Sequence, residues 1–284
     1  PDPDTELLLH ELQRSYSNYL IHTPKTGGTS LIQLLEQDRK ELSSVRSKGV
    51  CDHGFDYVSD TWSVSDTWKS CWLHASESKF SDLPARRYAV LRPPHHHVAS
   101  MYYHCKESKA HKYKGRFMPE TLGLWLGWWV RLTLTKGEAI AEHIRDPQVD
   151  DNPIADGFHC YNPVNMQSVR LEFHNETTTR ELSLMYRVIG ITSEMDKTAC
   201  LISIDIHGEV PKRCDCTKRT GQEQPSVRMD HGVKHHGDSV NLTQSQMQAI
   251  DILTRRDALL YQTGQALFFE KVKYVEERYS IKLC

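Results

Sequence analysis

The stretch Tyr19–Leu35, YLIHTPKTGGTSLIQLL, runs from an apolar segment through a glycine pair into a helical pattern. Ser17–His22 predicts a buried strand, and Thr29–Gln37 predicts a helix opening on hydroxyl residues. A strand, a tight turn and a helix amino terminus in that order build an anion site. Gly27 and Gly28 let backbone amides approach a phosphate closely. The amides of Thr29 and Ser30 lie where the helix dipole favours negative charge by ~0.3–2 kcal/mol. Thr26, Thr29 and Ser30 add hydroxyl donors, and Lys25 adds a full positive charge.

The Walker A loop places its lysine after the last glycine, followed by a Ser or Thr that binds magnesium. Here Lys25 precedes the glycine pair, which disfavours a nucleotide triphosphatase. The remaining chain alternates strand and helix signals. Strands are expected at Cys71–His74, Tyr88–Leu91 and Tyr186–Ile191. Helices are expected at Val98–Cys105, from Met118 to Val130, from a Ser193 cap onward, and across Leu242–Tyr279. Such alternation predicts an α/β fold: a three-layer, P-loop NTPase-like parallel sheet flanked by helices. We read residues 1–284 as one domain, with 1–16 an amino-terminal extension and 132–160 a loop-rich insertion.

A formal charge of -2 argues neither for nor against a polyanionic partner, so only local patches carry information. One such patch is YYHCKESKAHKYKGRF, where Tyr103, Lys106, Lys109 and Lys112 follow directly on a predicted helix. Its cations would hold an acidic glycan and its tyrosines would stack on sugar faces. Nothing in the pattern points to nucleic acid. No apolar run approaches the ~18 residues of a spanning helix. The chain lacks an initiator Met, so an amino-terminal anchor or signal outside it is in keeping with the sequence.

The eight cysteines allow disulfides or thiols, and sequons stand at Asn175 and Asn241. Together they tilt the reading toward the secretory pathway. No metal site is expected. His95, His96 and His97 are consecutive, so on a helix they splay around it and cannot face one ion. The looser set of His207, Cys214, Cys216, His231, His235 and His236 lacks a standard zinc spacing.

The segment PKTGGTS after a buried strand resembles the 5′-phosphosulfate loop of carbohydrate sulfotransferases, which use 3′-phosphoadenosine 5′-phosphosulfate. The similarity is closest to the heparan sulfate 6-O- and 2-O-sulfotransferases, which also place the lysine early. It implies that Lys25, Thr26, Gly27, Gly28, Thr29 and Ser30 hold the 5′-phosphosulfate, and that Arg92 and Ser100 in YAVLRPPHHHVAS hold the 3′-phosphate. Arginine suits that task because its planar fork matches phosphate. Pro93 stands where the family has an aspartate, and His97 where it has a second arginine.

SCWLHASESKF resembles the family segment whose histidine is the catalytic base, which gives that role to His74, with Glu77 as the fallback carboxylate. The base takes the acceptor hydroxyl's proton, and histidine suits neutral pH. Lys25 would neutralise charge on the sulfuryl group and the departing phosphate. CYNPVNMQSVRL resembles an Asn-x-Gln segment, making Asn165 and Gln167 acceptor-side candidates. Arg228, Lys234 and Ser239 fall where related enzymes close over the adenosine.

The expected activity is sulfuryl transfer to a glycan hydroxyl, with adenosine 3′,5′-bisphosphate as product, in a membrane-anchored protein of the Golgi lumen. Two other readings stay open: a non-catalytic glycan-binding protein of the same fold, and a P-loop kinase or nucleotide hydrolase.

Overall fold

A computed structural model describes residues 17–21, 23–43, 56–57, 73–76, 85–107, 118–137, 161–218 and 240–284. The chain is α/β, with a parallel sheet flanked by helices. The strands are β1 (Ser17–Ile21), β2 (Asp56–Tyr57), β3 (Leu73–Ser76), β4 (Ala85–Leu91) and β5 (Val188–Ile191), in the order β2-β3-β1-β4-β5. Every pairing is parallel. The helices are α1 (Gly28–Ser43), α2 (Pro94–Glu107), α3 (Leu122–Lys136), α4 (Met166–Arg170), α5 (Thr179–Met185), α6 (Met195–His207), α7 (Gln244–Leu253) and α8 (Arg255–Tyr279).

The central strands are apolar because both their faces are covered. All four residues of β5 are buried, as are Tyr19, Leu20 and Ile21 of β1. Neighbouring strand residues point to opposite faces, and β5 shows what covers each. A Cβ on Gly190 would collide with Thr198 of α6. On the other face, a Cβ on Gly264 of α8 would sit 2.5 Å from Leu91 Cδ1 and 3.1 Å from Ile189 Cγ2. The sheet therefore lies between α6 and α8, and the absent side chains let both helices approach it.

Helix α1 packs with α6, whereas α2 packs with α7 and α8. The neighbouring strands β1 and β4 thus send their following helices to opposite faces. In parallel α/β sheets the crevice at such a divergence is where ligands bind. A second apolar cluster, centred on Trp125, Trp129, Met101, Tyr102, Ile250 and Leu253, joins α2, α3 and α7.

Several boundaries differ from those expected. β3 runs past His74 to Ser76 because its register is set by β1, with His74 opposite Tyr19 and Ser76 opposite Ile21. Ser193 caps nothing: Thr192–Glu194 is a 3-10 turn, and α6 opens at Met195 with no side-chain cap. Thr198 secures that corner instead, its hydroxyl accepting from Ile191 N at 3.0 Å and donating to Ile191 O at 3.1 Å. The helical stretch expected over Leu242–Tyr279 breaks at Thr254 (φ -126°, ψ 31°), whose hydroxyl donates to Ile250 O. The insertion expected from 132 overlaps α3, which continues to Lys136 and ends on Gly137 (φ 74°).

Disulfides join Cys200 to Cys214 and Cys216 to Cys284. Cys105 is also disulfide-bonded. Beside Cys214, Arg213 forms a two-pronged ion pair with Asp38 of α1, at 2.5 and 2.6 Å. These disulfides fit a secreted or lumenal protein. Among the described residues, no helix is long and apolar enough to cross a membrane.

Candidate functional site

The turn after β1 has a left-handed residue on either side of Thr26: Lys25 at φ 66° and Gly27 at φ 77°. Such alternation turns successive amide N–H groups to one side, making a concavity suited to an anion. Leu31 N bonds Gly27 O at 3.0 Å, so Gly27 supplies the first helical carbonyl. The amides of Gly28, Thr29 and Ser30 are then the first-turn donors that a helix leaves without an internal partner. Thr26 Oγ1 points inward and donates to Thr23 O at 2.8 Å. For Thr29 only the backbone is described.

A non-glycine residue in the left-handed region costs about 1–2 kcal/mol. Two buried donors from the β4–α2 junction hold the turn in that conformation. Arg92 Nη1 donates to Lys25 O at 3.0 Å, and His97 Nε2 donates to Pro24 O at 2.7 Å. His97 is fully buried, and its imidazole is pushed down to about 3. Burial is the main cause, and the Arg92 and Lys25 charges add to it. His97 is therefore neutral, with Nε2 carrying the proton, as a carbonyl acceptor requires. A neutral imidazole thus grips the turn's backbone.

Arg92 is itself anchored. Gln167 Oε1 accepts from Arg92 N at 2.9 Å, and Gln167 Nε2 donates to Arg92 O at 2.9 Å. The amide brackets the strand exit as a neighbouring strand would. Gln167 is the second residue of α4, whose first-turn amides are capped from α8: Asp257 accepts from Gln167 N at 3.2 Å and from Ser168 N at 2.7 Å. Asp257 is fully buried, which raises its carboxyl to about 6 against the pull of those two N–H groups. Asn165 (φ 47°) lacks a capping bond of its own, and its Oδ1 accepts from Arg256 N at 2.9 Å. Asn165 and Gln167 thus tie α4 to α8 and to β4.

On α2, His97, Ser100 and His104 recur at three- and four-residue spacing, which puts them on one helix face. Ser100 is buried. His104 Nδ1 lies 3.2 Å from Lys25 Nζ, and its ring stacks on Tyr161 with centroids 5.9 Å apart. The structure thus brings together Lys25, Thr26, Gly27, Arg92 and His97, with His104 at the lysine's tip.

The chain matches no protein-family model. It matches no curated protein either.

The base candidate His74 is described by its backbone alone, in β3, two residues before the level of Ile21. Lys106 turns back on its own surroundings. Its ammonium donates to Tyr102 OH at 3.2 Å and to Glu120 O. Tyr103 packs edge-on against Tyr102 with centroids 5.1 Å apart. Glu77, Lys109, Lys112, Arg228, Lys234 and Ser239 lie outside the described residues. No group of three metal-ligating side chains occurs among the described residues. The sulfurs of Cys214 and Cys216 are joined in disulfides.

Sequence reasoning missed His104 and Asp257, and it met His97 as a departure from a motif and as part of a dismissed metal cluster. The helical spacing of His97, Ser100 and His104 was a signal available in HHHVASMYYH. Asp257 gave none, since its partners lie about ninety residues away.

Proposed function

We propose that the protein is a sulfotransferase that moves a sulfuryl group from 3′-phosphoadenosine 5′-phosphosulfate to a hydroxyl of an acidic glycan. The observation that carries this reading is the Arg92–Lys25 carbonyl contact. It joins the two cationic motifs across β1 and β4, where one doubly phosphorylated nucleotide would have to lie. The guanidinium has five N–H donors and gives one to the turn.

In this reading Lys25 and the amides of Gly28, Thr29 and Ser30 take the 5′-phosphosulfate, while Arg92 and Ser100 take the 3′-phosphate. His74 removes the acceptor hydroxyl's proton as the new O–S bond forms and the S–O bond to phosphate breaks. Lys25 meets the charge that develops on the leaving phosphate, so cationic side chains and amides supply the stabilisation. Tyr103 and the basic run that follows it in sequence bind the acceptor in this reading. The sheet is the P-loop NTPase-like kind, and the compartment is the Golgi lumen, where disulfides persist.

The test is binding and turnover. Adenosine 3′,5′-bisphosphate at about 100 times its Kd should stabilise the fold by ~2.7 kcal/mol, raising Tm by roughly 5 °C or more. His74→Ala should keep that stabilisation and lose ~10²–10⁴ in turnover of radiolabelled donor. An unchanged Tm with the bisphosphate sinks the donor assignment. Full turnover in the variant removes His74 from the chemistry.

A further inference from the structure

Lys25 ends on a group that the sulfotransferase reading does not use. Its Nζ is 3.2 Å from His104 Nδ1, a contact spanning 79 residues of chain. An ammonium can only donate, so the direction of this bond is fixed: Lys25 gives the proton and Nδ1 accepts with its lone pair. His104 must therefore be neutral and protonated on Nε2. The imidazole is held in place by Tyr161, whose ring stacks on it at 29° and is itself buried. Tyr161 belongs to the apolar cluster beneath α2 and α3. The acceptor presented to Lys25 is thus fixed at both ends, by α2 and by that cluster.

We propose that His104 is the positioning residue for Lys25, holding its ammonium at the mouth of the glycine turn before donor arrives. This rests on the sulfotransferase reading and adds to it. A lysine side chain is long and freely rotating, and a misplacement of about 1 Å can lower a rate by about a hundredfold. An ammonium carries three N–H bonds, and one of them is directed at His104. His104 takes no proton in the reaction. The acceptor's proton goes to His74, the new O–S bond forms, and the S–O bond to phosphate breaks with its electron pair on the phosphate.

Two substitutions separate the acceptor from the ring. His104→Phe keeps a ring against Tyr161 and removes the lone pair. His104→Asn removes the ring and keeps an oxygen acceptor at the position of Nδ1. The first readout needs no activity. The full chain is treated with trace acetic anhydride, and acetylation of Lys25 is compared with that of the exposed Lys273 by peptide mass spectrometry. An ammonium must leave its acceptor to react, so Lys25 should label several-fold faster in His104→Phe and return to the wild-type rate in His104→Asn. Equal Lys25 labelling in wild type and His104→Phe overturns the proposal.

The second readout is turnover of radiolabelled donor on desulfated heparin. His104→Phe should lower kcat by ~10–100-fold with little change in the donor's KM, and His104→Asn should recover most of it. A folded His104→Asn as inactive as His104→Phe also overturns the proposal, since the ring's own proton would then be what matters. If wild type neither binds adenosine 3′,5′-bisphosphate nor turns over donor, the sulfotransferase reading fails. The labelling comparison then still decides the Lys25–His104 contact.

Discussion

Replacing Arg213 by methionine isolates one contact that fixes the helix carrying the glycine turn. Arg213 and Asp38 are 6% and 0% exposed in their side chains and meet through two short bonds. Burial pushes the Asp38 carboxyl up by more than the guanidinium pulls it down. The pair therefore stabilises the fold little at neutral pH, because the desolvation of both charges offsets their attraction. Removing one partner is a different matter. Arg213→Met leaves the carboxylate buried without its guanidinium, and such changes cost about 3–5 kcal/mol.

The double variant Asp38→Leu/Arg213→Met should fold as well as wild type, or better by about 1–4 kcal/mol. Urea unfolding of wild type, both single variants and the double variant gives the coupling energy directly. By the same linkage, the raised Asp38 carboxyl contributes stability that is present at acid pH and lost as pH rises through its folded value. A loss below 1 kcal/mol in Arg213→Met, or a double variant as weak as the worse single, would refute this account of the pair.

His97 makes the opposite pH prediction. Its ionisation is depressed from the usual ~6.5 to about 3, so its contribution is complete above pH 6.5 and is lost as pH falls toward 3. At 1.36 kcal/mol per pH unit that amounts to about 4–5 kcal/mol. His97→Gln keeps a donor near Nε2 and does not titrate, so urea midpoints between pH 4 and 7 should flatten while bisphosphate binding survives. His97→Phe should lose both. Gly27→Ala should cost at least ~1–2 kcal/mol for its positive φ. A new Cβ would also lie 2.6 Å from Met195 Cε. Bisphosphate binding should weaken with it, as calorimetry would show. Asn175 is exposed in a turn whose Thr177 hydroxyl accepts from His174 N. Expression in a secretory host should add glycan there, read as a mass lost on enzymatic deglycosylation.

The sequence made the first turn legible because its signals are local: an apolar run, two glycines, then hydroxyls and helical spacing. It also placed β4, α2 and β5, where apolar runs are bounded by Pro93, Pro94 or polar residues. What it hid is long-range. The bracketing of Arg92 by Gln167 spans 75 residues, and the His97 bond to Pro24 spans 73. The break at Thr254 was invisible because apolar periodicity continues through it without Gly or Pro. The extension of β3 to Ser76 came from pairing with β1, which a short apolar segment cannot announce. The expected Ser193 cap lost to Thr198, whose hydroxyl closes the same corner from inside the helix.

The sheet order has a consequence for how such a protein could be redesigned. Among the described residues, the side chains that hold the turn's carbonyls, Arg92 and His97, come from the β4 side of β1, while β3 pairs on its other flank with β2 beyond it. A graft that exchanged the outer pair of strands would leave the turn and its two buried donors in place and alter what is brought up against them. The two poles of the crevice are, in that sense, separately replaceable parts.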